Sequence, residues 1–149
     1  MYKLVAKEEG GEIIPKIKIS ENPEKITNPH FKKIYRLYDN ETGKALADYL
    51  CIYNEEVDDS KPLEIFDARS TWKRKTLTNY TARNLQEPIF VKGELVYKRP
   101  TLQEIQDYCR EQLDTLWDEV KRFDNPHTYY VDLSSKLWNL KQDLLRKNT

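Results

Sequence analysis

The stretch PTLQEIQDYCREQLDTLWDEVKRFD, residues 100–124, decides the fold. Thr101 and Glu104 stand at the spacing of a capping box, in which the threonine hydroxyl accepts an orphan amide and the glutamate reaches back. Leu102, Ile105, Cys109, Leu113, Leu116, Trp117, Val120 and Phe123 then follow. At about 100° per residue they fall within an arc of roughly 120°, the width of a core-facing stripe. Asp107, Arg110, Glu111, Asp114, Asp118, Lys121 and Arg122 occupy the other face, basic residues crowd the last turn, and Asn125-Pro126 stops the helix. A stripe this broad needs a large apolar partner, and the expected one is a sheet.

Strands are legible upstream. Ile13, Pro15, Ile17 and Ile19 alternate with polar neighbours after the turn residues Gly10-Gly11, which puts Lys16 and Lys18 on the solvent side. Residues 34–39 and 45–53 read as strands joined through Asp39-Asn40-Glu41-Thr42-Gly43. Residues 63–66 form a short strand, and Lys92-Gly93 between two apolar pairs is a two-residue hairpin signal. After the long helix, residues 129–131 are a brief extended link. Asp132 or Ser134 can then cap a closing helix whose Leu133, Leu137, Leu140 and Leu144 share a face. The sequence therefore predicts an α+β fold: an antiparallel β-sheet, with hairpins in residues 1–97, packed against two C-terminal helices at about 101–124 and 132–147. A single domain spanning 1–149 is expected. Met1 runs directly into Leu4-Val5-Ala6 with no cap or tail, and this beginning suggests a piece of a longer chain.

Composition narrows the function. Twenty-five basic and 25 acidic residues cancel, so no global field recruits nucleic acid or an anionic membrane. The charges are nonetheless segregated: residues 40–68 carry eight acidic and two basic side chains, residues 69–99 eight basic and two acidic. No apolar run approaches the roughly 20 residues of a membrane span. Cys51 and Cys109 are too few for a disulfide framework and read as reduced thiols of a cytoplasmic protein, with Cys109 on the apolar stripe. Phosphate-loop, dinucleotide and metal-spaced Cys/His motifs are absent. His30 and His127 each follow Asn-Pro and read as turn residues, and Trp72, Trp117 and Trp138 as core anchors. The segment that stands out is KISENPEKIT, residues 18–27, which by its residues alone reads either as a solvated loop or as an anion-binding nook. A loop bent at Asn22-Pro23 would bring Lys25 back beside Lys18, with Ser20 and Thr27 as neutral donors. Such a nook suits phosphate, because lysine acts as a mobile point charge.

Lys18-Ile-Ser followed by Pro23-x-Lys25-x-Thr27 resembles the Lys-Leu-Ser…Pro-x-Lys-x-Thr segment of nicotinate phosphoribosyltransferases. The likeness extends through residues 35–39, Ala47-Asp48, residues 71–78, 111–119 and 126–133. It covers essentially the whole chain but only the last third of such an enzyme. His30 departs from it, since the family usually has glycine after that Asn-Pro. The resemblance implies an enzyme that joins nicotinate to phosphoribosyl pyrophosphate in NAD biosynthesis, with ATP hydrolysis through a phosphorylated histidine and with Mg2+. It also implies a homodimer whose active sites form between subunits. The barrel with that histidine would lie upstream of Met1. The isolated chain is thus expected to be inactive and to hold no cofactor, catalytic residue or metal of its own. Its partner would be the remainder of the parent enzyme, and it would contribute Lys18, Ser20, Lys25 and Thr27 as phosphate-binding residues, toward substrate or ATP. The competing reading is an autonomous α+β module that binds a protein or nucleic acid through its basic half.

Overall fold

The structure, a computed structural model, describes residues 2–147; Met1, Asn148 and Thr149, the outermost positions of the expected 1–149 domain, lie outside them. Strands β1 (Ala6–Glu9) and β2 (Glu12–Pro15) form a hairpin turned by Gly10 and Gly11, both at positive φ, a conformation that glycine adopts without a Cβ penalty. The central unit follows. Strands β3 (Lys32–Asp39) and β4 (Ala45–Ile52) pair antiparallel, with Tyr35 opposite Tyr49 and Leu37 opposite Ala47. With β7 (Tyr80–Asn84) and β10 (Val131–Leu133) they make a four-stranded sheet in the order β10-β4-β3-β7. Because β10 runs parallel to β4, the sheet is mixed, where the sequence suggested antiparallel pairing alone. Strands β5 (Leu63–Phe66) and β6 (Arg74–Leu77) form a second hairpin, and β8 (Phe90–Val91) and β9 (Glu94–Leu95) a third around Lys92-Gly93.

Alternation along β3 and β4 builds the core. Tyr35, Leu37, Ala47, Tyr49 and Cys51 share one face and pack with Ile65, Leu77 and Tyr80. The residue pair one step out of phase, Arg36 opposite Asp48, is ionic. Two side-chain bonds join them, from Arg36 Nε at 2.8 Å and Nη2 at 3.1 Å, and Tyr129 donates to the same carboxylate at 3.0 Å. Asp48 is buried, so the bidentate geometry is what makes the charge tolerable there. Its negative charge pushes the Tyr129 hydroxyl pKa upward, behind burial as the larger cause.

The long helix is the main correction. Residues 101–124 divide into α1 (Leu102–Asp114) and α2 (Asp118–Lys121), separated at Thr115–Trp117. The capping box at Thr101 forms as expected. Downstream, the β3–β4 hairpin takes the carbonyls that the next helical turn requires. Lys44 Nζ donates to the carbonyls of Asp114 (2.7 Å) and Leu116 (3.4 Å), and the Ala45 amide donates to that of Thr115 (2.8 Å). The second correction concerns the stripe. No residue of α1 is buried, Leu102 is 72% exposed, and Cys109 is exposed rather than packed. Trp72 is also exposed, not an anchor. The helix that covers the sheet is α3 (Ser135–Arg146), packed on β4 with Leu137 fully buried. Ser134, rather than Asp132, caps it, accepting from the Leu137 amide at 3.1 Å while donating to Glu55 at 2.8 Å.

Candidate functional site

The segment from Lys18 to Thr27 is closed at its neck. The Lys18 amide donates to Thr27 Oγ1 at 2.9 Å, and the Thr27 amide donates back to the Lys18 carbonyl at 3.4 Å. The two ends of the motif are therefore adjacent through Lys18 and Thr27, whereas the expected neighbour of Lys18 is Lys25. The expected strand stops earlier, at Pro15: its partner ends at Ala6, and only the Lys16 amide, bonded to the Val5 carbonyl at 2.8 Å, continues the pairing. Lys18 thus belongs to the loop and not to a strand. At the tip, Asn22 caps a single 3-10 turn, Pro23–Lys25, by accepting from the Glu24 amide at 2.9 Å, and Ser20 Oγ accepts from the Asn22 amide at 3.3 Å. Both hydroxyls here use acceptor lone pairs, which leaves their O–H groups to donate. Neither the Lys18 nor the Lys25 ammonium is bonded or ion-paired among the described residues, and Lys25 is exposed. What the backbone brings together is Lys18 with Thr27; Ser20 and Lys25 sit farther round the same loop.

Two other lysines grip residues 28–30, the segment that follows this loop, and no sequence pattern marks either of them. Lys32 Nζ donates to the carbonyls of Asn28 (2.9 Å) and Pro29 (3.3 Å) and to that of His30. Lys141, from α3, donates to Asn28 Oδ1 at 2.8 Å. Burial lowers the pKa of both ammonium groups, the expected direction for a desolvated cation. Pro29 is fully buried between them. His30 follows at φ 73°, the left-handed region where a side chain is disfavoured and glycine is at ease. The backbone thus accounts for the glycine that the resemblance puts there. In this chain the strain is offset locally: the His30 amide donates to Val5 at 2.7 Å, and the ring stacks on Tyr53 at 5.6 Å.

A mixed β-sheet covered by one helix, with a closed polar loop beside it, defines an α+β domain. Residues 31–141 match the family described as the nicotinate phosphoribosyltransferase C-terminal domain, and the chain belongs to that family. It is 42% identical over 147 residues to the nicotinate phosphoribosyltransferase of Bacillus subtilis, a match covering 99% of this chain and 30% of that protein. The Dictyostelium discoideum enzyme of the same name is 31% identical, over 97% of this chain and 25% of its own length. Among solved structures, that of human nicotinic acid phosphoribosyltransferase superposes with a TM-score of 0.72 at 25% identity, covering 80% of this chain and 24% of that one. The chain therefore spans about 30% of the length of the Bacillus relative. The family membership favours a C-terminal portion over an autonomous module.

Proposed function

We propose that this chain serves as the C-terminal domain of an enzyme that forms nicotinate mononucleotide from nicotinate and phosphoribosyl pyrophosphate with ATP hydrolysis, and that its Lys18–Thr27 loop contacts phosphate groups. The observation that supports the loop's role is the neck between Lys18 and Thr27, which fixes the ends of a segment whose two ammonium groups make no ion pair among the described residues, although Glu21 and Glu24 lie in the same loop. Displacement of pyrophosphate builds positive charge at the ribose carbon while the leaving group holds several negative charges, and positioned cations stabilise that separation. Lys18 and Lys25 supply mobile point charges, and Ser20 and Thr27 supply neutral O–H donors. Magnesium, where the reaction uses it, does not fit this loop. Among the described residues no three His, Cys, Asp or Glu side chains gather, and the loop's two carboxylates, Glu21 and Glu24, are accompanied by two lysines.

The same reading assigns the exposed apolar stripe of α1 and the β8–β9 hairpin to contact with the remainder of the enzyme, including the second subunit of a homodimer. Leu102, Ile105, Leu113, Phe90 and Leu95 supply that surface. No helix among the described residues is long and apolar enough to cross a membrane. A cytoplasmic location belongs to this reading, supported by two cysteines that are not joined.

The test is made in the complete enzyme. Lys25→Ala removes one charge-assisted bond worth roughly 1.5–3 kcal/mol. At about 1.4 kcal/mol per tenfold, kcat/KM should fall about ten- to a hundredfold when ATP and phosphoribosyl pyrophosphate are varied in turn. Lys16→Ala, outside the motif, should leave it unchanged, and both variants should melt like the wild type. Wild-type kinetics for Lys25→Ala would remove the loop from the reaction. The 149-residue chain alone should show no turnover with nicotinate, phosphoribosyl pyrophosphate, ATP and magnesium.

A further inference from the structure

A second polar feature lies away from the loop, where β4, the β5–β6 hairpin and β10 meet. There a cleft of about 330 Å³ is walled by Leu46, Ile65, Phe66, Leu77 and Tyr130. That volume is at the lower end of the range for small-molecule sites. Asp132 lines it and is only 5% exposed, yet among the described residues no donor reaches its carboxylate. Among the described residues no buried side-chain oxygen is both sealed from solvent and without a partner, so the carboxylate is open to the cleft. A buried, unpaired acid is costly, and such groups in folded proteins ordinarily meet a donor. The contrast with Asp48 on the adjacent strand is direct: that carboxylate has Arg36 and Tyr129, whereas Asp132 has an empty volume.

The rim has the opposite sign. Lys73, Arg74 and Lys75 line the mouth of the cleft, with Asp67 beside them. Arg74 is already engaged by Glu64 and by the Thr71 carbonyl, and its guanidinium lies over the Phe66 ring at 5.0 Å. Asp67 is turned toward its own loop, accepting from the Arg69 amide at 2.8 Å. Lys73 and Lys75 make no side-chain bond among the described residues. Burial, and behind it the Asp67 carboxylate, push the Asp132 carboxyl up to about 6, so it is mostly charged at neutral pH and lacks a cation.

From this arrangement we propose that the cleft binds a small dipolar ligand whose ammonium or guanidinium head meets Asp132, whose apolar stem lies along Phe66 and Ile65, and whose anionic group meets Lys73 and Lys75. An aminoalkyl phosphate has this chemistry. A divalent cation is disfavoured, because among the described residues no third ligand joins the two carboxylates. The proposal stands independently of the Lys18–Thr27 loop.

The experiment titrates the 149-residue chain, followed by amide NMR, with 4-aminobutyl phosphate, butyl phosphate and n-butylammonium. Saturable shifts confined to Leu46, Phe66, Tyr130 and Asp132 are expected with the dipolar probe, with affinity at least tenfold above that of either half-probe. Asp132→Asn should cost at least tenfold in affinity for 4-aminobutyl phosphate while keeping a dispersed spectrum, and Lys73→Ala with Lys75→Ala should abolish its advantage over n-butylammonium. Absent or unsaturable shifts, or equal affinity in Asp132→Asn, overturn the proposal. The complete enzyme separates two sources of the cation. If it fails to bind a probe that the 149-residue chain binds, a side chain of the enzyme itself fills the cleft and the free-ligand assignment is wrong.

Discussion

Helices α1 and α3 are nearly matched in length, 13 and 12 residues, and each begins with a hydroxyl cap and carries an apolar stripe. Their fates differ completely: α3 buries Leu137 against β4, and α1 buries nothing. Amphipathicity states that a helix needs a partner without saying which surface provides it. What separates the two is the chain leading into each. Three residues of β10, hydrogen-bonded beside β4, deliver α3 directly onto the sheet, and the Ser134 amide extends that pairing to the Leu50 carbonyl at 2.8 Å. The approach to α1 runs instead through the exposed β8–β9 hairpin.

Truncating the stripe of each helix breaks the comparison most sharply. Leu137→Ala in the 149-residue chain should cost about 2–5 kcal/mol, the range for a fully buried leucine, whereas Leu102→Ala should stay within about 0.5 kcal/mol. Urea unfolding of both variants measures this, and equal losses would mean that α1 is packed after all. In the complete enzyme Leu102→Ala should become destabilising if the stripe meets the rest of the protein.

Charge sharpens the contrast on the β10 side. Folding holds the Asp132 carboxyl at about 6 against an ordinary 3.8, so the folded chain keeps a proton that the unfolded chain releases between those values. This contribution to stability is fully present below 3.8 and is lost as pH rises through 6. Asp132→Asn removes the charged form, so it should raise stability by about 1–3 kcal/mol at pH 7–8 and change little below pH 4. Thermal melts across that range test the sign; a gain independent of pH would point to packing instead. The caps give the smallest effect. Ser134→Ala loses both the Leu137 amide and Glu55 in a buried setting and should cost about 1–2 kcal/mol, with exposed Thr101→Ala nearer 0.5 kcal/mol.

The reading of KISENPEKIT shows where sequence reasoning runs out. Asn22-Pro23 does turn the loop, because turn chemistry is local, but the residue that Lys18 meets is Thr27, where the sequence reading puts Lys25. Lys141 gripping Asn28 was not legible, since 113 positions separate the two and no pattern marks an exposed-looking lysine as an anchor. The choice between Asp132 and Ser134 as the cap of α3 is open in the sequence for the same kind of reason. As a potential cap Asp132 has the right chemistry at the right place, but β10 carries it into the sheet, and Ser134 is left at the helix start.

By itself the sequence determined what depends on near neighbours: the β3–β4 pairing, the Lys92-Gly93 turn, the Thr101 capping box, and the motif that led to the family. Hydrophobic period, turn residues and caps act over a few positions, and nothing distant competes with them there. Only the tertiary structure decided that the long helix ends at Asp114, because Lys44 and Ala45 from a hairpin some 70 positions earlier capture the carbonyls it needed. It also decided that α3 rather than α1 covers the sheet. Which groups reach those carbonyls, and which helix reaches the sheet, is set by the path of the whole chain.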